Sequence, residues 1–542
     1  MSALLGQLWM PSGVDLFRFS PELVLVGTLV AILVVPLVLG RSAGLTGTIA
    51  LVGVGIATWL TVRVGVEVRG EGFSGLAPSA SSGMLIADNV GVFFKIMVLG
   101  FAACVTVLWW IGSAETERDA PEFFVLLLGS AVGMCLMAGT LNLLMMLVAI
   151  EMASLPSYAI VGFAKRDRRA AEVSLKYAVF GAVSAAIMLY GISLLYGLYQ
   201  SLNFVDVAGG VVADLVAGRR VVTLGAGLAC LFCGIGFKIS AVPFHFWCPD
   251  AFEGARIEVT TWLSVVSKAA GLILLARLVH TLSAAGGAAG ALDSLAPLAW
   301  GIGIVAMLTC TVGNLAAYKQ SSVKRLLAYS SVAHAGYMLM AVAIFAVPGS
   351  TGVSEGMAAL LTYVAIYLVM NLGAFGVVAL VYWQTGSDSI DAFNGLIRRA
   401  PWLAVAMLFC LMSLVGLPPF AGFMGKYWIL YALGQQGDAA NWLYWILFLV
   451  AVINTLISLY YYLRVVVRMM LADDGQPEVR APLGGTVLVT VCGALLIAML
   501  IFAQPIKHWA DRHAVNLYAP PVATADAGGN TGELPTGTTW RP

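Results

Sequence analysis

Long apolar runs separated by short polar breaks dominate the chain, and a helix needs about 20 mainly apolar residues to cross a bilayer. Fourteen such segments can be marked: Leu23 to Gly40, Leu45 to Val64, Val90 to Gly112, Phe123 to Ala138, Leu141 to Phe163, Val173 to Tyr199 and Val221 to Trp247. The second seven are Thr260 to Leu282, Leu298 to Tyr318, Leu326 to Ala346, Met357 to Trp383, Trp402 to Leu433, Trp442 to Met470 and Gly485 to Ala503. The pattern predicts an all-α integral membrane protein of about 14 transmembrane helices.

Two segments are interrupted. Pro243 follows Lys238 in the seventh, and Gly416, Pro418 and Pro419 precede Lys426 in the twelfth. The breaks lie five segments apart, an odd offset that inverts topology. Segments four to eight and nine to thirteen therefore read as two inverted five-helix repeats, each with a broken fourth member. The resulting division is 1–120, 121–285, 286–472, 473–518 and a disordered, Pro- and Gly-rich tail at 519–542.

Composition agrees with a lipid environment: 60% of the 542 residues are hydrophobic and 11% charged. A net charge of +1 supplies no field to gather nucleic acid. The Lys and Arg fall mainly after odd-numbered segments (Lys165, Arg166, Arg168, Arg169; Lys319, Lys324, Arg325; Arg398, Arg399), so the positive-inside rule puts both termini outside. The 59 glycines suit close helix packing. No basic leader with a cleavage site marks a removable signal peptide. The eight cysteines, including Cys230 and Cys233, read as small core residues. No Cys cluster or Gly-rich fingerprint points to a redox cofactor in this chain.

An ionisable group in the bilayer needs a partner or a wet cavity. Glu151 lies midway along the fifth segment with Ser154 and Tyr158 on its face, Lys238 beside the first break, Lys268 mid-eighth and Lys426 past the second break. Groups whose charge depends on a neighbour's are what a proton relay requires. His245 and His334 extend the candidate path because histidine changes charge near neutral pH. Lys95 and Lys176 read as snorkelling, with Lys176 also a candidate for proton uptake, and His280 as interfacial. Structural ion pairing is the rival reading for Glu151 and Lys268, snorkelling for Lys238, a place near a helix edge for Lys426 if the break ends the helix, and a structural hydrogen-bonded histidine for His245 and His334.

Five stretches together resemble the antiporter-like subunits of respiratory complex I, over roughly residues 85 to 470. They are Glu122 to Phe163 with Glu151, Gly236 to Ala255 with Lys238, Pro243 and His245, Ser267 to Gly271, Lys324 to Tyr337 with His334, and Gly416 to Lys426. The run Ala171 to Ala182, Ser193 to Gly197 and a lysine in the twelfth segment resemble the subunit N branch most. The resemblance implies a proton-translocating NADH:quinone oxidoreductase subunit in a bacterial inner membrane, with Glu151 and Lys238 paired at the input, Lys268 central and Lys426 near the output. It also implies that NADH, FMN, iron–sulfur clusters and quinone are handled by partner subunits, and that subunits M, L, K and J are neighbours. Arg256-Ile257-Glu258 departs from the branch, which usually has an uncharged, proline-containing stretch there, and bears on the cytoplasmic entrance. Rival assignments are a multisubunit Mrp-type cation/proton antiporter and a non-pumping structural subunit.

Overall fold

A computed structural model describes residues 13–71, 74–75, 84–112, 119–164, 167–346, 350–437, 442–472 and 478–514. Lys165, Arg166 and the tail at 519–542 lie outside the described residues. The helices are α1 (Gly13–Arg18), α2 (Ser20–Leu39), α3 (Ala43–Glu71), α4 (Asn89–Gly112), α5 (Ala120–Gly139), α6 (Leu143–Val161), α7 (Arg168–Tyr199), α8 (Phe204–Val216), α9 (Val221–Ile239) and α10 (Trp247–Gly254). They continue as α11 (Ile257–Ala288), α12 (Ala296–Ala317), α13 (Val323–Ala343), α14 (Ser350–Thr385), α15 (Leu396–Arg399), α16 (Pro401–Val415), α17 (Ala421–Gln436), α18 (Trp442–Leu471), α19 (Leu483–Ile501) and α20 (Ala503–Ala514). A two-residue ladder, β1 (Ser74–Gly75) with β2 (Ile86–Ala87), lies between α3 and α4.

Among the described residues, 13 helical spans are long and apolar enough to cross a membrane. The remaining segment of the sequence reading is the twelfth, which is divided into α16 and α17, of 15 and 16 residues. The short helices α8, α10, α15 and α20 were not anticipated from hydropathy. The most apolar windows of α11 and α13 are 94% buried, against 28% for α2 and α19 and 33% for α7 and α18. The first pair is enclosed by protein; the others turn an apolar face outward, toward lipid.

Both breaks form where the chain cannot continue a helix. α9 ends at Ser240, in a left-handed conformation (φ 65°), and its terminal carbonyls are taken up locally: Ala241 N donates to Gly236 O and Trp247 Nε1 to Phe237 O, at 2.8 and 2.9 Å. α16 ends at Gly416, whose φ of +86° suits a residue without a Cβ. Pro243 and Pro419, which have no N–H to donate, follow, each preceded by a cis peptide bond.

The segments on either side of residue 290 share detailed features. The N-cap of α6, Asn142, forms an isolated β-bridge with Asn203 in the connection after α7; the N-cap of α13, Ser322, forms one with Ser389 after α14. Gly133 of α5 meets the backbone of Ala153 so closely that an added Cβ would sit 2.3 Å from its nitrogen, and Gly313 of α12 meets Ala333 with 2.5 Å. Position 313 follows 133, and 333 follows 153, by the same 180 residues that separate Ser322 from Asn142.

A charged knot ties three helices at one end of the bundle. Glu253 of α10 accepts from Arg325 of α13 at 2.6 Å and pairs with Arg169 of α7. Burial pushes the Glu253 carboxyl up, but the hydrogen bonds from Arg325 and Arg169 outweigh it and hold the group below its ordinary range.

Two outcomes follow. Gly313→Leu, which forces a side chain into backbone, is expected to destabilise the purified protein by about 1–3 kcal/mol, read as a lowered unfolding temperature; a wild-type temperature would contradict the close approach. A depressed carboxylate contributes stability above its unfolded pKa of about 4.3 and loses it as pH falls through the lower folded value. Glu253→Gln should therefore lower the unfolding temperature near neutral pH, and the two proteins should converge below about pH 4.

Candidate functional site

Four charged groups, Glu151, Lys238, Lys268 and Lys426, lie along a polar axis that runs from α6 and α9 through the enclosed α11 and α13 to α17. Lys238, in the last turn of α9, is fully buried, and its ammonium donates to Ser154 Oγ of α6 at 3.1 Å. Ser154 is one turn from the half-buried Glu151. Among the described residues the lysine is thus held by a hydroxyl next to the carboxylate, not by the carboxylate itself. Lys238 does not snorkel; it is anchored inside by α6.

Lys268 of α11 is also fully buried. Its ammonium donates to Cys248 Sγ of α10 at 3.3 Å and to Ser331 Oγ of α13, and lies 5.1 Å from the centre of the Phe252 ring. A thiol, a hydroxyl and an aromatic face replace part of the water an ammonium would otherwise have. α9 and α11 touch beside it: an added Cβ on Gly271, one turn from Lys268, would be 3.5 Å from Lys238 Cβ.

From Ser331 the axis runs along α13, where Ser331, His334 and Tyr337 recur at three-residue intervals on one face. His334, 2% exposed, is bonded through Nδ1 to Tyr363 Oη of α14 at 2.6 Å and through Nε2 to Tyr462 Oη of α18 at 3.3 Å. Tyr462 also shares a hydrogen bond with Ser330 Oγ. Such hydroxyls donate and accept, so a proton can be handed on by reorienting O–H bonds.

Lys426 of α17 closes the axis. Its ammonium donates to Val415 O, at the broken C-terminus of α16, at 2.8 Å and lies 4.5 Å over the Tyr337 ring. A helix C-terminus carries partial negative charge, so the break itself supplies the lysine with a counter-dipole. Gly416 makes room for this: an added Cβ would be 2.8 Å from Lys426 Cδ.

The other candidates stand apart from this chain of contacts. His245 occupies the break between α9 and α10, 6% exposed, with Nδ1 buried and lacking a hydrogen-bond partner among the described residues. It lies three residues before Cys248 and is bonded to neither buried lysine. Lys176 is half exposed on α7 and pairs with Glu172 at 2.6 Å. Arg256 and Glu258, the departure from the subunit N pattern, pair with each other at 3.4 Å, and the buried Glu258 sits in the first turn of α11, where a helix favours an acid.

Several participants carry no signal in the sequence. Cys248, Ser331, Tyr363 and Tyr462 are neutral residues in apolar helices, visible only through their contacts. The snorkelling assignment of Lys95 is corrected: its ammonium pairs at 2.5 Å with Glu22, a carboxylate 2% exposed. A partner 73 positions away made the inward orientation illegible, because Glu22 stands near the start of its own segment. The buried Arg277–Asp88 pair, at 2.7 Å, was missed for the same reason.

Comparison with known proteins agrees with this architecture. Residues 140–458 match the family model described as NADH:quinone oxidoreductase/Mrp antiporter, TM. The chain is similar to the NADH-quinone oxidoreductase subunit N of Anaeromyxobacter sp., 40% identical over 519 residues, covering 91% of this chain and 95% of the relative. Among solved structures it resembles a chain of respiratory complex I from Thermus thermophilus with bound aureothin, with a TM-score of 0.71 and 30% identity over 90% of this chain and 98% of that one. It shares its fold with a chain of the Mrp complex from Dietzia sp., with a TM-score of 0.77 and 19% identity over 94% and 98% of the two chains. Extensive identity to subunit N, and fold alone shared with Mrp, place the protein: this chain belongs to the NADH-quinone oxidoreductase subunit N family, multi-pass membrane subunits of an oxidoreductase complex.

Proposed function

We propose that this subunit carries protons along the axis Glu151, Ser154, Lys238, Lys268, Ser331, His334, Tyr337 and Lys426, driven by quinone reduction elsewhere in the complex. The observation that carries the reading is the placement of Lys268, a buried ammonium whose ligands come from both sides of residue 290: Cys248 on α10 and Ser331 on α13. A proton gained or lost there changes hydrogen bonding in both segments at once. The matching features of the two segments support reading them as inverted copies of one five-helix unit, each with a broken helix beside a lysine.

Each group has a physical task. Glu151 receives a proton, and Ser154, accepting from Lys238, steadies its ammonium. Lys268 and Lys426 alternate between ammonium and amine as charge arrives from either side, because a neighbouring positive charge disfavours a second one. His334 and the tyrosine hydroxyls bridge the two lysines. Moving one charge against about 100 mV costs about 2.3 kcal/mol, so the partners must alter these affinities by at least that much per proton. His245, close to Cys248, is assigned an auxiliary position, and Lys176 one at the surface of the first segment. The chain holds no redox centre of its own; NADH, FMN, iron–sulfur clusters and quinone belong to partner subunits. The neighbours are further antiporter-like subunits, M and L, with small subunits K and J, in a bacterial inner membrane and with both termini outside.

The test is made in the intact complex reconstituted in vesicles. Lys268→Met and Lys426→Met are expected to assemble and to lose proton translocation, whereas Lys176→Ala keeps it. Wild-type pumping in both Met variants would overturn the relay and leave a scaffold whose buried charges only join helices. Proton flux that requires sodium and no NADH would favour the Mrp-type activity instead.

A further inference from the structure

Three acid–base pairs lie off this axis, toward the end of α11 away from Ile257. Asp88, just before α4, accepts from Arg277 of α11 at 2.7 and 2.9 Å, and Arg277 also donates to Ala138 O at the end of α5 at 2.6 Å. Glu22 of α2 pairs with Lys95 of α4 at 2.5 Å, and Arg18 of α1 with Glu67 of α3 at 3.3 Å. One small cavity brings the three together: Arg18, Thr61, Asp88, Gly91 and Lys95 all line it.

Pairs that only fasten helices need leave nothing unsatisfied, and these do. Glu22 is 1% exposed; Oε1 meets Lys95, while Oε2 is buried with no hydrogen-bond partner among the described residues. Arg277 Nε is buried in the same condition. Most of the wall is apolar, but Arg18, Lys95 and Asp88 place a guanidinium, an ammonium and a carboxylate on it, and Lys95 carries the pair to Glu22, whose free oxygen follows the lining residue Pro21; a water needs two to four such polar partners. The ammonium of Lys95 and the guanidinium of Arg18 can donate to it, and the carboxylate of Asp88 can accept from it.

We infer that this cavity holds water and, with Glu22 and Lys95, forms a second proton-exchange site, apart from the relay. The ammonium of Lys95 passes a proton to Glu22 Oε1, leaving an amine and a carboxylic acid. The amine then takes a fresh proton from the cavity water and the acid releases its own to a second water, so the pair is restored and one proton has passed from Lys95 to Glu22. Nine residues, about 14 Å of helix, separate Arg277 from Lys268, so the site is joined to the central lysine through one rigid element. Its part in transport rests on the proton-carrying reading above; its water does not.

Hydroxyl-radical footprinting of the intact wild-type complex reads the water directly. Pro21 and Val92, which line the cavity, are expected to label well above Leu99, a fully buried residue of α4; labelling no greater than at Leu99 means a dry cavity and overturns the inference. The exchange role is read with the double variant Glu22→Gln/Lys95→Met, which removes both charges together. Electron transfer from NADH to quinone is expected to persist while protons moved per electron fall, and a wild-type ratio overturns the role. Labelling decides on the wild-type complex even where the double variant fails to assemble. Lys268→Met is the separate control: intact pumping there overturns the relay without altering the labelling result.

Discussion

A charge inside hydrocarbon must be solvated by the protein that carries it, and this requirement organises the bundle. Nothing in the lipid can serve an ammonium, so each buried lysine is matched to donors and acceptors brought in by other helices. Lys238 is served by α6, Lys268 by α10 and α13, and Lys426 by a terminal carbonyl of the interrupted α16. The enclosed position of α11 and α13 follows, since the helices carrying these groups must be surrounded by protein. Outer helices such as α2, α7 and α19 carry few such groups and can face lipid.

The two breaks follow from a local rule of backbone chemistry. A proline cannot donate and a glycine can take a left-handed turn, so the seventh and twelfth segments stop within the apolar region. Stopping leaves carbonyls without intrahelical partners. At the first break Trp247 and the turn satisfy them; at the second Val415 O is left for Lys426. The first interruption is thus closed by the backbone and an indole, the second by the backbone and a buried lysine.

Much of this was legible in the sequence, and what was not has a common cause. Span length and apolar content mark the segments, and proline with glycine marks both breaks, because these depend on neighbours within a few residues. Lys238, Lys268, His334 and Lys426 stood out because charge is rare in such helices. Ser331, Tyr363 and Tyr462 did not, because hydroxyls are common in apolar helices and only the fold decides which of them meet. The pairs Glu22 with Lys95 and Asp88 with Arg277 were illegible for the same reason: their pairing is a property of helix packing between distant parts of the chain. The amphipathic α20, whose Trp509 packs on Phe93 of α4 at 4.5 Å and whose Lys507 lies over Trp428 of α17 at 4.5 Å, was likewise hidden behind the last apolar run.

The β-bridge between Ser322 and Ser389 has a mechanical meaning. Val323 N donates to Asp388 O and Ile390 N to Ser321 O, at 2.7 and 2.8 Å, so backbone hydrogen bonds to another part of the chain pin the start of α13. A rod fixed at one end swings most at the other. Ser331 is about 14 Å from the pin, His334 about 18 Å and Tyr337 about 22 Å, at 1.5 Å per residue. Any pivot of α13 therefore shifts the Tyr337 contact with Lys426 more than the Ser331 contact with Lys268. The anchor grades any such displacement along the rod, smaller at the Lys268 contact and larger at the Lys426 contact.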